Sequence, residues 1–170
     1  DRGVGVRILM GGGLGFSSTA DLSAKSLEHV VKAALDAAKA RKLPFKYSFP
    51  SPAKLPKVSG VYDEKLAKLP PEEGVELAYD MIDGAKAYGP KIVDNAGVLN
   101  LVEYHTIILN THGLSALNEG TFFEASLTTT AKEAGKISEG SDATAGRNLR
   151  ELEPKEIGRK AAEMAISGLK

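Results

Sequence analysis

The first 23 residues constrain the fold more than any other part of this chain. Apolar side chains recur at every second position from Val4 to Met10, as they do along one face of a β-strand. The three glycines that follow, Gly11, Gly12 and Gly13, can adopt the positive φ angles that a tight reversal needs. A second short strand and a helix start come next. The segment therefore predicts a β-hairpin that leads directly into a helix.

The predicted first helix spans Ser23–Arg41, with Ser23 as its N-cap. His29 falls opposite the apolar stripe of this helix, so we expect it to be exposed. The stripe has the i, i+3, i+4, i+7 spacing of a single helical face and consists of Leu27, Val30, Val31, Ala34, Leu35 and Ala38.

Residues 43–57 form a proline-rich arm that holds four of the eight prolines of the chain. Proline lacks a backbone donor, so this composition excludes a regular helix or strand. Three aromatic residues, Phe45, Tyr47 and Phe49, are interleaved with the prolines. A flexible linker would lack such large apolar groups, and we therefore expect the arm to be packed on a neighbouring element.

Two further helices are predicted, over Pro71–Tyr88 and Pro154–Gly168. Each begins with proline at its first turn, where the missing N–H costs nothing. The predicted buried stripe of the former is Val75, Ala78, Tyr79, Ile82 and Ala85, and that of the latter is Ile157, Ala161, Met164, Ala165 and Leu169.

Between Lys91 and Arg147 the pattern changes to that of β-structure, because glycines punctuate apolar and threonine-rich runs that lack helical periodicity. The predicted fold class is α+β, a largely antiparallel sheet with three flanking helices. The candidate strands in this region are Ile92–Val93, Gly97–Glu103, Thr106–Leu109 and Thr121–Ala131.

Composition excludes several classes of function. Twenty-two basic residues balance 22 acidic ones, so no net field attracts nucleic acid or anionic lipid. The chain has no cysteine, which removes disulfides and thiolate chemistry and fits a cytoplasmic protein. No run of eighteen apolar residues is present, so we expect no membrane span. Asp1 is not a methionine and the first strand starts within three residues of it, which leads us to expect a fragment of a longer polypeptide.

Two histidines are candidates for a metal site. His105 and His112 are seven residues apart and can flank one strand, so they could share an ion. However, no histidine pair lies at the i, i+4 spacing of a helical zinc motif, and no histidine is followed by glutamate. We favour surface or turn histidines and assign no metal ligand in this chain.

No catalytic residue is assigned either. The glycines of residues 11–15 lack the Gly-Lys-Ser/Thr continuation of a phosphate loop and the third glycine of a dinucleotide motif. The hydroxyls of Ser17, Ser18 and Thr19 have no recognisable base. The carboxylates of Asp80, Asp83 and Glu124 show no spacing that identifies an acid–base pair.

Several segments together resemble the TldD/PmbA family of bacterial and archaeal metallopeptidase-related proteins, once labelled modulators of DNA gyrase. The amino-terminal match is carried by Gly3–Arg7, by Gly15–Thr19 and by the helix entry Asp21–Ser23. Asn110–Gly113 resembles an Asn-Ser-x-Gly turn of the family, with Thr111 in place of serine. The Arg-x-Leu-x-x-Leu-x-Pro pattern from Arg147 also resembles it.

The resemblance implies that residues 1–170 are the amino-terminal, non-catalytic region of such a protein, divided as a hairpin and helix over 1–42, the proline-rich arm over 43–57 and a helix–meander–helix over 58–170. It implies a homodimer, or a heterodimer with a related subunit, that encloses unfolded or leader peptides. Zinc would belong to a carboxy-terminal half with an HExxxH helix, a motif absent from this chain. The sequence leaves open whether the subunit is of the zinc-binding or the metal-free type, and hence whether its parent is an enzyme.

A second hypothesis is a free-standing module that captures an extended peptide by strand addition. The threonine run Thr128, Thr129 and Thr130 favours a β-strand, and we expect it to offer a sheet edge for peptide contact.

Overall fold

A computed structural model of the protein describes residues 1–40 and 42–170. The predicted end of the first helix at Arg41 lies outside the described residues. The chain divides into two compact units. The first consists of Asp1–Ala53 and Asn110–Leu114, and the second consists of Lys54–Leu109 and Ser115–Lys170.

The first unit begins with the predicted hairpin. Strand β1 (Val4–Met10) pairs antiparallel with β2 (Gly13–Thr19), and Met10 is opposite Gly13. Gly11 and Gly12 make the turn with φ angles of 57° and 80°. The turn therefore needs two of the three glycines, and the third is the first residue of β2.

Helix α1 (Ala24–Ala40) follows the hairpin as predicted. The hydroxyl oxygen of Ser23 accepts a hydrogen bond from the backbone N–H of Ser26 at 3.3 Å, which confirms Ser23 as the cap. His29 is exposed, as predicted. Val31 is predicted in the buried stripe and is exposed instead. The hairpin meets α1 at Ala34 and Ala38, where Gly15 packs against the helix backbone. The residues of α1 that are buried are Val30, Ala34 and Ala38.

Part of the proline-rich arm is anchored within the first unit. The side-chain amide of Asn110 donates to the carbonyl of Pro50 at 2.8 Å, and Nδ1 of His112 lies 3.1 Å from the carbonyl oxygen of Phe49. The Phe49 and His112 rings meet edge to face at 6.4 Å. The expectation of packing therefore holds for this part, whereas Phe45 and Tyr47 remain exposed.

The second unit contains a three-stranded antiparallel sheet in the order β3-β4-β5. The strands are β3 (Ile92–Leu109), β4 (Ser115–Glu133) and β5 (Lys136–Gly146). The fold class, α+β with antiparallel sheet, is confirmed. The strands are longer and fewer than the predicted segments, and β5 was not predicted as a strand.

One face of this sheet carries the helices of the second unit. Every second residue of β4 from Thr121 to Ala131 is buried, as expected for a sheet covered on one side. Helix α3 (Pro71–Lys86) and helix α4 (Pro154–Ser167) lie on that face. Two shorter elements, the one-turn helix α2 (Glu64–Ala67) and a 3₁₀ turn at Leu149–Glu151, were not predicted.

The orientation of α3 differs from the sequence prediction. Val75 and Tyr79, both assigned to its buried stripe, are 55% and 62% exposed, whereas Met81, Gly84 and Ala85 are buried. The reason is a close crossing of α3 and α4: a β-carbon at Gly84 would overlap the backbone carbonyl of Lys155. The glycine face of α3 must therefore point towards α4, and this rotates Val75 and Tyr79 to the outside.

Met164 was assigned to the buried face of α4 and is also exposed. The small residues of that helix, Gly158, Ala161, Ala162 and Ala165, occupy the contact instead. Over residues 1–40 and 42–170, no helix combines the length and the hydrophobicity that a membrane crossing requires.

Candidate functional site

The threonine run does not form a sheet edge, so that part of the prediction is wrong. Thr128, Thr129 and Thr130 lie on β4, which is the central strand and pairs with β3 on one side and with β5 on the other. Thr129 is fully buried, and its hydroxyl donates to Oδ1 of Asn95 at 2.9 Å. The backbone of this stretch is already paired on both sides and has no groups left for an added strand.

The sheet face opposite the helices is open and is lined by small side chains. Val98, Ser126 and Ala143 lie in one row across the three strands, and Ala96, Thr128 and Ser141 lie in the next. The face holds a shallow depression of about 540 Å³ whose lining includes Asn100 and Glu124 as well. A floor of small side chains allows another polypeptide to approach the sheet closely.

The outer edge of β5 is where strand addition can occur. Among the described residues, β5 has β4 as its one strand neighbour, so the other side of its eleven residues presents unpaired backbone groups. The open-face side chains of β5 include Ala143 and Ala145, which line the depression. A strand added here would place its own side chains beside that depression.

An exposed apolar patch lies beyond the end of β5. β5 pairs with Phe123–Glu133, so Tyr104–Leu109 and Ser115–Gly120 continue as a two-stranded ribbon. Ile107 and Leu117 are directly opposite each other and are 68% and 61% exposed, and Leu109 on the same face is 68% exposed. Exposed aliphatic groups of this size that share one face are typical of a protein contact surface.

Polar groups border this patch on one side. Nε2 of His105 lies 3.3 Å from Oε1 of Glu103, and Nδ1 of His105 lies 3.6 Å from Oε2 of Glu119. The phenol of Tyr62 donates to Oε1 of Glu103 at 2.6 Å. This hydrogen bond raises the pKa of Tyr62 to about 12 and lowers the pKa of Glu103. An apolar centre with a polar rim is the usual anatomy of a protein interface.

The two candidate metal-ligating histidines have different surroundings. His105 is on the ribbon between two glutamates, and His112 is in the Asn110–Leu114 segment beside Phe49. In the part of the chain that the structure describes, no group of three or more histidine, aspartate or glutamate side chains has the arrangement of a metal site. His105 and His112 therefore do not belong to a shared group of this kind within the described residues.

The remaining candidates are dispersed. Asp80 pairs with Lys155 at 3.3 Å, and the hydroxyl of Thr19 lies 3.0 Å from that of Ser26. The turn glycines and Leu43–Ser48 line an open cavity of about 710 Å³ in the first unit. These contacts bring no nucleophile together with a base.

The apolar patch and the β5 edge were missed from the sequence. The adjacent residues Ile107, Ile108 and Leu109 gave a clue, because consecutive side chains of a strand point to opposite faces. A run of large aliphatic residues therefore places apolar groups on both faces of the strand. Both faces must then be covered by other residues to keep these groups out of water.

Comparison with known proteins agrees with this architecture. The family model described as "PmbA/TldA metallopeptidase central domain" matches residues 64–169, and "PmbA/TldA metallopeptidase domain 1" matches residues 1–38. A search of curated protein sequences found no match.

Three solved structures share the fold. Two are crystal structures of proteins described as putative modulators of DNA gyrase. The protein from Thermotoga maritima has 25% sequence identity and a TM-score of 0.79. The protein from Bacteroides thetaiotaomicron has 23% sequence identity and a TM-score of 0.82. TldE from Thermococcus kodakarensis has 22% identity and a TM-score of 0.75.

These alignments cover 97%, 98% and 92% of this chain, respectively, but 37%, 39% and 36% of the solved chains, so the chain spans little more than a third of their length. The family models together account for most of the sequence, and the chain belongs to the PmbA/TldD metallopeptidase family.

Proposed function

We propose that this chain is the non-catalytic amino-terminal region of a PmbA/TldD-type zinc metallopeptidase or of its metal-free partner subunit. One observation carries the proposal: the chain matches domain 1 and the central domain of the family over residues 1–38 and 64–169, while it spans little more than a third of the solved relatives. The hydrolytic machinery is then encoded outside these residues. The cysteine-free sequence supports a cytoplasmic location for the assembled hydrolase.

The open sheet face is proposed to form part of the wall of a chamber that encloses unfolded or leader peptides. Small side chains such as Ala143 and Ala145 leave room for an extended chain above the sheet. The unpaired edge of β5 borders the same face and can hold a peptide backbone in register.

The apolar patch of Ile107, Leu109 and Leu117 is proposed to be buried in a dimer, with a second copy or with a related subunit. Each of these side chains is more than 60% exposed. Covering them would favour a contact by about 25 cal/mol per Å² of apolar surface removed from water. The polar rim around His105 would then set the orientation of the partner.

Metal content and activity test the non-catalytic role. The purified chain is expected to bind zinc well below one equivalent by elemental analysis and to leave an unfolded protein such as casein intact. Stoichiometric zinc, or digestion of casein by the chain, would overturn the proposal.

Sedimentation of the Ile107→Lys variant tests the dimer. A charge in the centre of the patch should weaken dimerisation of the chain by at least tenfold, because the lysine would be buried without a partner. Val31→Lys, which adds the same charge at an exposed position of α1, is the matched control and should behave as the wild type. Equal dimerisation of the two variants would exclude the patch as the interface between two copies of this chain.

The alternative is a free-standing peptide-binding module, and the unpaired edge of β5 favours it. In that case an unstructured peptide should cause saturable NMR shifts centred on Lys136–Gly146, with the chain alone. An accessory domain that acts only within a chamber should show no saturation at millimolar peptide.

A further inference from the structure

The side chain of Arg147 reaches one end of the open sheet face. Arg147 directly follows β5, whose Ala145 lines the depression on that face. Nη1 of Arg147 donates to the hydroxyl of Tyr104 at 3.2 Å. Tyr104 is an even number of residues from Asn100 and Val98 on β3, which also line the depression, so its side chain is on the same face. The guanidinium is therefore bound to a residue of the open face.

A glycine on β4 allows Tyr104 to reach Arg147. Gly120 is opposite Tyr104 in the register of β3 and β4. A β-carbon at Gly120 would lie 2.5 Å from the hydroxyl oxygen of Tyr104 and 2.6 Å from its Cζ, which is closer than a real side chain can approach. The tyrosine ring therefore lies across β4 at this point, and its hydroxyl meets the segment that follows β5.

The backbone of Arg147 is also held on both sides. Its carbonyl oxygen accepts from the buried hydroxyl of Thr121 at 2.9 Å, and its N–H donates to Oε2 of Glu151 at 3.0 Å. Neither bond involves the guanidinium, so both remain when the side chain is changed. Together with the bond to Tyr104, these contacts determine where the guanidinium lies.

The positive charge of Arg147 has no partner within residues 1–40 and 42–170. Its guanidinium forms no ion pair there, whereas that of Arg159 pairs with Glu156 at 2.7 Å and with Glu163 at 2.9 Å. A guanidinium has five N–H donors, and one bond to Tyr104 leaves donors available for a ligand. Their planar arrangement matches the two oxygens of a carboxylate. The site is therefore suited to a carboxylate from another molecule.

Apolar groups lie between this guanidinium and the depression. Phe122 and Val102 are directly opposite each other on the open face, one row from Tyr104 and Gly120. The rings of Phe122 and Tyr104 are 6.2 Å apart and inclined at 52°. A ligand whose carboxylate reaches Arg147 would place its neighbouring side chain over these apolar groups.

We propose that Arg147 binds a carboxylate of an extended peptide that lies on the open sheet face. An apolar side chain beside that carboxylate covers Phe122 and Val102, and Tyr104 acts as a positioning residue for the guanidinium. This inference rests on the proposed peptide-enclosing role of the face and adds the group that fixes one point of the peptide. The carboxylate belongs either to the carboxy terminus or to an acidic side chain of the peptide.

Small carboxylates test the site on the full chain at low salt. The arginine Nε–Hε signals are followed by NMR while N-acetylphenylalanine is added to about 100 mM. The Arg147 signal should shift saturably, with a dissociation constant below about 50 mM. Arg150 is an exposed arginine in the 3₁₀ turn and serves as the internal control. Its signal should shift by less than about a fifth as much.

Two further ligands identify the group that is bound. N-acetylphenylalaninamide has the same ring and no charge, so it should cause no saturable shift of Arg147. The α-amide of N-acetylglutamic acid has its one carboxylate in the side chain. Binding within threefold of N-acetylphenylalanine assigns the site to peptide carboxylates of both kinds, and binding more than threefold weaker assigns it to the carboxy terminus beside an apolar residue.

Variants test the two residues separately, with the backbone amides of Phe122 and Ala145 as reporters of binding. Arg147→Gln should weaken binding of N-acetylphenylalanine at least tenfold, and the matched control Arg150→Gln should stay within twofold of the wild type. Tyr104→Phe should weaken binding at least threefold. Without ligand, it should also move the Arg147 Nε–Hε signal towards that of Arg150, which a general loss of structure would not do selectively. Far-ultraviolet circular dichroism establishes that each variant is folded.

The outcomes separate this inference from the proposed function. If the acid and its amide shift Arg147 equally, or if Arg147→Gln binds the acid as the wild type does, the carboxylate site is wrong while the open face can still line a chamber. Equal shifts of Arg147 and Arg150 would also overturn it, because any exposed arginine would then take the ligand. The zinc and casein assays decide the non-catalytic role independently of these results.

Discussion

The carboxylate of Asp63 accepts a hydrogen bond from the backbone N–H of Leu149 at 2.7 Å, across 86 residues of sequence. Its other oxygen accepts from the N–H of Lys65 at 3.0 Å and caps α2. The Asp63 N–H donates to the hydroxyl of Thr121, which itself donates to the carbonyl of Arg147. One side chain and its neighbours therefore join the start of α2, the centre of the sheet and the segment before α4.

Replacing Asp63 should destabilise the second unit. Asp63→Ala leaves the Leu149 N–H without its partner and removes the helix cap, which together should cost about 1–3 kcal/mol of unfolding free energy. Urea denaturation measures the loss. Asp83→Ala, at an exposed position of α3, serves as the control and should stay within about 0.5 kcal/mol of the wild type. A loss no greater than that of the control would show that the bond contributes little.

Stability should decrease in acid. The Leu149 N–H lowers the pKa of Asp63 below its ordinary 3.8, and the Arg147 N–H and the Arg159 guanidinium lower the pKa values of Glu151 and Glu156. A group whose folded-state pKa is depressed stabilises the fold above its unfolded pKa, and this contribution is lost as the pH falls through the folded value. Urea midpoints should be nearly constant from pH 7 to about pH 5 and should decrease below about pH 4. The decrease should be shallower in Asp63→Ala, and a midpoint that rises between pH 5 and pH 3 would contradict the assignment.

Tyr62 should titrate late. Its hydrogen bond to Glu103 raises the pKa of the phenol from 10.0 to about 12. The difference in absorbance at 295 nm between the wild type and Tyr62→Phe should have its midpoint near that value. Because the folded-state pKa is raised, the stabilisation is complete below about pH 10 and is lost as the pH rises through about 12. A midpoint near 10 would mean that the phenol does not donate to Glu103 in solution.

The helix crossing should not tolerate a methyl group. A β-carbon at Gly158 would overlap the carbonyl oxygen of Met81, so Gly158→Ala should destabilise the chain by about 1–3 kcal/mol despite the better helix propensity of alanine. At Gly74 the same change meets only the end of the Leu101 side chain, at 3.2 Å. Gly74→Ala should therefore be neutral or stabilise by up to about 1 kcal/mol. Thermal denaturation of the two variants compares them directly, and equal melting temperatures would refute the close crossing.

The elements were predictable from the sequence where one local rule decided them. The alternation of Val4–Met10, the cap at Ser23 and the prolines at 71 and 154 each fix a strand or a helix start without help from distant residues. The buried side of α3 could not be found in this way. Val75 and Tyr79 are larger than Gly84 and were expected inside, but only a glycine fits against the Lys155 backbone.

The same limit applies to the candidate site. The threonine run at Thr128–Thr130 has the composition of a partly exposed strand, and composition does not tell whether a strand is central or at an edge. That depends on β5, whose glycine and acidic residues hide its strand character in the sequence. The exposed patch at Ile107 depends on where β5 ends, and this too is set by pairing between distant segments.

The unequal lengths of β4 and β5 have a consequence for how the sheet opens in solution. Strand β4 has 19 residues and β5 has 11, so β4 has a paired strand on both sides only where it lies beside β5. Ser115–Gly120 pair with β3 alone. Deuterium should therefore enter the amides of Ser115–Gly120 well before those of Phe123–Ala131 in the isolated chain. Slower exchange of the ribbon in a longer protein or a complex would report directly that a partner has covered it.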